Sequence, residues 1–273
     1  MSGQGTGLTF RLKAPATERL NLTGINPAAL VRLSGHEIAR LKVGMGKHAL
    51  TLGDAFDVSG SNGDTITIEG AGAGLDFVGA GMESGTIRVI GNAGSQVGRK
   101  MKGGTIEIRG NAGNFLASGM SGGLIHVAGN AGDNLGGVLS GDRFGMTGGI
   151  VVVEGDIGAR AGDKMRRGTI VVKGKTGPLA GSRMIGGTIW AEGGLGADPG
   201  LMMRRGTLIG SKVERLLPTF ADCGKHDLVI VRILNRYLKA TLGNLAPKPL
   251  PLFVQRIAGD MSAIGKGEIL LPG

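Results

Sequence analysis

The amino-acid sequence predicts an all-β protein, a right-handed parallel β-helix (solenoid) of about seven 19-residue coils with capping N- and C-terminal segments. Three features predict this fold: a Gly-Thr-Ile ladder at a fixed interval, a glycine-rich turn after each copy, and a methionine before each copy. A unit of 19 residues is too short for a pair of helices and lacks the pattern of a leucine-rich repeat. It can, however, form one coil of a β-solenoid.

The strand segment of each repeat opens at a glycine. These glycines are Gly85, Gly104, Gly123, Gly149, Gly168, Gly187 and Gly206. The interval is 19 residues at every step except the one from Gly123 to Gly149, which is 26 and predicts an inserted loop near residues 138–144. Apolar and polar residues alternate after Gly85, Gly104 and Gly123, so we expect the isoleucines to face inward and Arg88, Glu107 and His126 to face outward.

A methionine stands three residues before each of these glycines. The seven are Met82, Met101, Met120, Met146, Met165, Met184 and Met203. We expect this column to fill the core, because methionine adapts to irregular gaps. A thioether metal site is the alternative, which is disfavoured because neither His nor Cys shares the register.

The segments on either side of the repeats have a different character. We predict an N-terminal capping segment over residues 1–62, the repeat domain over 63–210, and a C-terminal capping segment with a helix over 211–273. Within the flanks, the pattern predicts a strand over residues 8–12, a helix over 27–32 and a helix over 226–242.

Composition limits the possible function classes. Thirty-one Lys and Arg against 21 Asp and Glu give a net charge of +10, which favours anionic ligands or acidic partner surfaces. Nucleic acid is disfavoured because no helix-turn-helix, zinc finger or aromatic platform accompanies the charge.

The sequence contains neither a run of about 18 apolar residues nor a signal peptide at its start, so we expect no membrane span and a cytoplasmic location. The lone Cys223 excludes a disulfide within the chain and is expected to be a small buried residue.

No motif for catalysis stands out. Residues 173–176, Lys-Gly-Lys-Thr, resemble a phosphate loop, but Thr169 stands where that motif requires glycine. The histidines at 36, 48, 126 and 226 have no metal-ligand spacing, and no Ser or Cys nucleophile has a visible base. We therefore expect the isolated chain not to be an enzyme, and to bind no cofactor covalently or through metal ligation.

Cations recur beside the methionine corner, and we name this set the basic edge. It comprises Arg99, Lys100, Lys102, Lys164, Arg166, Arg167, Arg183, Arg204 and Arg205. If the repeats stack in register, these side chains follow one another at about 5 Å intervals. The edge then has three interpretations: a solvated surface, a site for an anionic ligand, or a contact with an acidic partner.

The repeat Gly-Thr-Ile-x-x-x-Gly-Asn-Ala-Gly, with Met before each return, resembles the GXGXG β-helix superfamily. That superfamily includes the C-terminal domain of glutamate synthase large chains and the C subunit of formylmethanofuran dehydrogenases. Two stretches resemble that C subunit: residues 52–60, Leu-Gly-Asp-Ala-Phe-Asp-Val-Ser-Gly, and residues 259–270, with Gly-Asp-Met and Gly-Lys-Gly-Glu-Ile-Leu. The resemblance covers about residues 30–273.

The resemblance implies a noncatalytic structural subunit in a cytoplasmic hetero-oligomer, beside an amidohydrolase-like subunit and a formyltransferase subunit. In methylotrophic bacteria such a formyltransferase/hydrolase complex belongs to one-carbon metabolism and formaldehyde oxidation. It moves formyl from tetrahydromethanopterin to a methanofuran-type carrier and releases formate. Composition favours this bacterial complex over the molybdenum or tungsten formylmethanofuran dehydrogenase of archaea. The carrier bears glutamyl carboxylates, so the basic edge is expected to guide this acidic tail or to meet a partner.

Two alternatives from other classes stay open on the sequence. One is a β-helix subunit of a glutamate synthase-like complex, and the other is an independent polyanion-binding module. The proteins that copurify with the chain would distinguish these alternatives from membership in a formyltransferase/hydrolase complex.

Overall fold

A computed structural model describes residues 7–14, 18–44 and 50–273; His48 and the first six residues, on which the histidine and signal-peptide expectations depend, lie outside these ranges. The strands are β1 (Gly7–Leu12), β2 (Leu20–Asn21), β3 (Phe56–Gly60), β4 (Thr65–Ala71), β5 (Leu75–Asp76), β6 (Thr86–Gly91), β7 (Thr105–Ile108), β8 (Leu124–Val127), β9 (Thr147–Val153), β10 (Arg167–Val172), β11 (Thr188–Ala191), β12 (Arg205–Gly210), β13 (Ala221–Asp227), β14 (Phe253–Gly259) and β15 (Lys266–Pro272). The helices are α1 (Pro27–Leu30), α2 (Gly35–Ala39), α3 (Leu52–Ala55) and α4 (Val229–Leu242), and a 3₁₀ turn follows at Gly243–Leu245.

Thirteen of these strands form one mixed sheet in the order β13-β14-β15-β12-β11-β10-β9-β8-β7-β6-β4-β1-β3. The strands from β1 to β15 within this order pair in parallel, whereas β3 on β1 and β13 and β14 beyond β15 are antiparallel. The order has two free ends, so the sheet is not closed.

The predicted parallel β-helix of about seven coils is therefore wrong. The structure is mostly β, but thirteen of its strands lie in one open mixed sheet, and β2 and β5 pair in a separate two-stranded sheet. Outside the named strands, successive repeats pair through single-residue parallel bridges such as Ala112 with Ala131 and Ala131 with Ile157. The interval of 19 residues sets which strands are neighbours, and it does not by itself make the sheet curl. The boundaries proposed at residues 62 and 210 stay predictions.

The register of the repeat strands agrees with the ladder in the sequence. Thr86 pairs with Thr105, and Ile87 with Ile106. After the longer interval, Ile125 pairs with Val151, so the inserted residues do not change the register. A shift by one residue would turn every buried side chain to the other face, which is why this register is strongly specified.

The side chains that form the inward-facing core are those that the repeat predicts. All seven methionines of the column are fully buried, as are the strand isoleucines beside them. The side chain of Arg88 is half exposed, while Glu107 and His126 are partly exposed on the same outer face. The predictions that the methionines face inward and these three residues face outward are confirmed.

A second core lies on the outer face of the later strands. Where β6 to β8 carry Arg88, Glu107 and His126, the strands β9 to β12 carry apolar residues at the same register position. These are Val152, Val171, Trp190 and Ile209. They are buried beneath α4, which contributes Val231, Leu238 and Leu242.

The flanking elements differ from expectation in detail. The strand expected at residues 8–12 is β1, and the helix expected at 27–32 is the shorter α1, which Asn26 caps by accepting a hydrogen bond from the Ala29 N–H. The helix expected from residue 226 begins at Val229, because His226 belongs to β13. Cys223 is exposed on β13, so the expectation of a buried cysteine is wrong.

Candidate functional site

Several cations of the basic edge occupy left-handed corners of the repeat. Lys100, Lys164 and Arg183 each directly precede a buried methionine, and their φ angles are 53°, 51° and 52°. Five residues before Met165, Arg160 occupies a second left-handed corner with φ 57°. Few side chains other than Gly and Asn adopt this conformation readily, so local propensity does not explain cations at these corners.

The inserted loop folds back over these corners. Asp142 in this loop lies 2.9 Å from the Nζ atom of Lys100 and 3.6 Å from an Nη atom of Arg99. Both cations belong to an earlier repeat, on the other side of Met120. The loop thereby closes one side of a groove.

A second carboxylate, that of Asp163, lies on the other side of the groove. Asp163 accepts hydrogen bonds from the Nε and Nη2 atoms of Arg183 and, at 2.8 Å, from the hydroxyl of Ser182. The hydrogen bond with Asp163 raises the pKa of Arg183 above its ordinary value, against the opposing effect of burial. Arg183 therefore stays charged and is held in one orientation.

Together these residues line a groove of about 660 Å³ between the inserted loop and the repeat corners. Its cations are Arg99, Arg160, Lys164 and Arg183, and its carboxylates are Asp142 and Asp163. Within residues 7–14, 18–44 and 50–273, Arg160 and Lys164 form no ion pair, whereas the other groove cations do. The groove thus has two uncompensated positive charges, and we name it the basic groove.

The rest of the basic edge lies apart from this groove. Lys102 pairs with Glu83 at 2.7 Å, and Arg166 lies with its guanidinium 5.1 Å from the centre of the Phe144 ring. The remaining members are Arg167, Arg204 and Arg205, exposed at the starts of β10 and β12. The structure therefore divides the predicted edge in two. The cations that precede the methionine of their repeat line the groove or pair with its loop, and those that follow the methionine lie apart from it.

Sequence reasoning missed Arg160 and the two carboxylates. Arg160 occupies the same position of its repeat as Gln96 and Phe115, which also have positive φ and line the groove. Aligning this second corner would have located it. No such pattern locates Asp142, because its loop is unique to one repeat.

Two further properties of the described residues concern metal binding and membrane insertion. Among the described residues, no three His, Cys, Asp or Glu side chains are grouped as a metal site would require. His126 lies 3.2 Å from Glu154 on the outer face of the sheet, far in sequence from the other histidines. No helix over the described ranges is long and apolar enough to span a bilayer.

Comparison with known proteins decides the family. No family model matches the chain. Over 74 residues, which are 27% of the chain and 28% of the relative, it is 43% identical to the C subunit of the formyltransferase/hydrolase complex Fhc of Methylorubrum extorquens. This alignment spans under a third of that relative's length. A solved chain of the formyltransferase/hydrolase complex (FhcABCD) from Methylorubrum extorquens, in complex with methylofuran, matches with a TM-score of 0.91 and 42% identity, over 97% of this chain and 99% of that one.

The chain belongs to the family of formyltransferase/hydrolase complex C subunits. The resemblance inferred from residues 52–60 and 259–270 is thereby confirmed. Membership in the broader GXGXG superfamily stays a prediction.

Proposed function

We propose that the chain is the noncatalytic scaffold subunit of a cytoplasmic formyltransferase/hydrolase complex in one-carbon metabolism. The observation that carries this proposal is the match to the solved FhcABCD chain over nearly the whole length of both chains, at 42% identity. Likeness of this extent favours a formyltransferase/hydrolase complex over a glutamate synthase-like one. The partners are then an amidohydrolase-like subunit and a formyltransferase subunit, and the reaction they carry out releases formate from a formyl carrier.

The basic groove supports a binding role for this protein. Arg160 and Lys164 have no ion pair among the described residues, so their charges are available to attract an anion. Asp142 and Asp163 are each paired with cations of the groove or its rim. The groove can therefore hold a negatively charged group while the chemistry takes place elsewhere.

The ligand we propose for the groove is the acidic tail of a methanofuran-type carrier. The solved relative was determined in complex with methylofuran. Glutamyl carboxylates are implied for such carriers by the family resemblance, and Arg160 and Lys164 offer them two charges that no carboxylate of the described chain neutralises. The residues present therefore fit an acidic tail. Point charges on long side chains would attract successive carboxylates without fixing one pose.

The proposal is tested by recovering the tagged chain from its native cells. We expect formyltransferase and amidohydrolase subunits to copurify in fixed stoichiometry, and formate release to copurify with them. A glutaminase partner would replace this proposal with the glutamate synthase-like alternative. Recovery of the chain alone would contradict it.

A further inference from the structure

An apolar stripe runs along the solvent-facing side of α4. Val229, Ile233 and Tyr237 are spaced by four residues and Ile230 lies three before Ile233, so the four share one helix face. Each of them is between 47% and 64% exposed. The opposite face of the helix is the one that packs on the sheet through Leu238 and its neighbours. A surface helix ordinarily has a single apolar face, whereas α4 has two.

The sheet edge beside this helix is also uncovered. β13 stands at the end of the strand order beside β14, and six of its seven residues are exposed. Its register places Asp227 opposite Phe253, two residues before α4 begins. Phe253 is 60% exposed and Leu252 is 52% exposed. The stripe on α4, these two residues and β13 together form what we name the docking surface.

Such a surface is unfavourable in water. Contiguous exposed apolar patches on soluble proteins mark interaction sites, and an unpaired strand edge offers free N–H and C=O groups to another chain. Cations lie along one flank of the stripe. Arg232 pairs with Asp227, while Arg236 and Lys239 have no ion pair in the part of the chain that the structure describes.

We infer that the docking surface binds a different subunit of the proposed complex, one that presents an apolar surface with an acidic rim. The inference rests on the proposed function, which supplies the partners. A second copy fits less well, because two chains of net charge +10 would bring their cationic flanks together. An acidic rim instead meets the cations of the helix and excludes copies of this chain.

The test coexpresses the complete chain with the other subunits of its complex and compares two matched double variants. I233S/Y237S removes the centre of the stripe, and V31S/I90S removes two exposed apolar side chains that lie far from α4 in the fold. We expect I233S/Y237S to retain about tenfold less of the partner than the wild type does, because buried interface anchors dominate affinity. We expect V31S/I90S to assemble as the wild type does. Both variants should keep the unfolding temperature of the isolated chain, since every replaced side chain is exposed.

Cys223 provides a second measurement that needs no substitution. It is the single cysteine of the chain and lies exposed on β13. Alkylation of Cys223, followed by mass spectrometry of its peptide, should be slower in the complex than in the isolated chain.

The outcomes separate the docking surface from the proposed function. Wild-type assembly of I233S/Y237S together with an unchanged Cys223 labelling rate would overturn the docking surface and leave the proposed function standing. A dimer of the isolated chain that I233S/Y237S abolishes would assign the surface to a second copy, which also overturns the inference. If the wild-type chain retains no other subunit, the proposed function fails and the docking surface falls with it.

Discussion

A Cβ atom placed on Gly98 would clash with the Cδ1 atom of Ile125. The same clash would arise one repeat earlier, where a Cβ atom placed on Gly79 would lie 2.5 Å from the Cδ1 atom of Ile106. One repeat later the position holds Ala117, which has φ 59° and is fully buried. The strand residue in register with Ile125 is there Val151, which has no Cδ1 atom. The repeat register thus places the methyl group of Ala117 opposite the smaller Val151.

We predict that V151I destabilises the chain by about 1–3 kcal/mol, because the added methyl group overpacks the space beside Ala117. The variant A117G/V151I should recover most of this loss, since glycine also accepts the left-handed conformation without strain. The measurement is a double-mutant cycle on urea unfolding of the four chains. Independent effects of the two substitutions would contradict the proposed complementarity.

The buried methionine column provides a second prediction. M101A should lower the free energy of unfolding by about 2–5 kcal/mol, because it leaves a cavity at a fully buried position. M202A is the matched control, since Met202 is 54% exposed and its replacement should cost less than about 0.5 kcal/mol. Equal effects in thermal unfolding would show that the column is not the core.

The surroundings of Asp260 predict that the free energy of unfolding depends on pH. Burial would raise the pKa of Asp260, but hydrogen bonds from the hydroxyl and N–H of Ser262 and from the N–H of Met202 outweigh it and hold the pKa below its ordinary value of 3.8. An acid with a lowered pKa in the folded state stabilises that state above its ordinary pKa, and this contribution is lost as pH falls through the folded pKa.

D260N should therefore be less stable than the wild type by roughly 1–3 kcal/mol at neutral pH, with the difference shrinking below about pH 4. Urea midpoints of both chains between neutral pH and about pH 3 measure it. A difference that stays constant across this range would contradict the ionised state of Asp260.

The basic groove predicts a charge effect that depends on position. In the assembled complex, R160S/K164S should slow turnover with a long-tailed carrier more than with a short-tailed one. R204S/R205S removes the same charge outside the groove and should slow neither. The effect should weaken with added salt, because the screening length falls from about 10 Å at 0.1 M to about 3 Å at 1 M. Equal slowing with both carriers would reject tail binding, and loss of assembly would assign the groove to a partner.

The strand register could be predicted because a period of two and a constant interval each follow from local geometry. Ile87, Ile106 and Ile125 stand in one column for this reason. The shape of the sheet could not be predicted in the same way. It depends on the antiparallel strands β13 and β14, which lie outside the repeat. It also depends on how many residues of the turns form backbone bridges with the next repeat. The change of the outer register position from His126 to Val152 was visible in the sequence, and it marks where α4 covers the sheet.

The site was predictable only in part. Recurrence beside the methionines located Arg99, Lys164 and Arg183, which the structure brings together around one groove. The pairing of Asp142 with Lys100 joins residues of separate repeats through a loop that occurs once. No periodic pattern determines such a contact, because it depends on the folded path of that loop.

Reconstitution from purified subunits tests the central claim most directly. Formate release from a formyl carrier is measured with the full set of subunits, with this chain omitted, and with this chain alone. A noncatalytic scaffold predicts turnover by the full set, loss of the assembled complex and of coupled turnover when the chain is omitted, and none by the chain alone. Turnover by the isolated chain, or undiminished turnover in its absence, would contradict the claim.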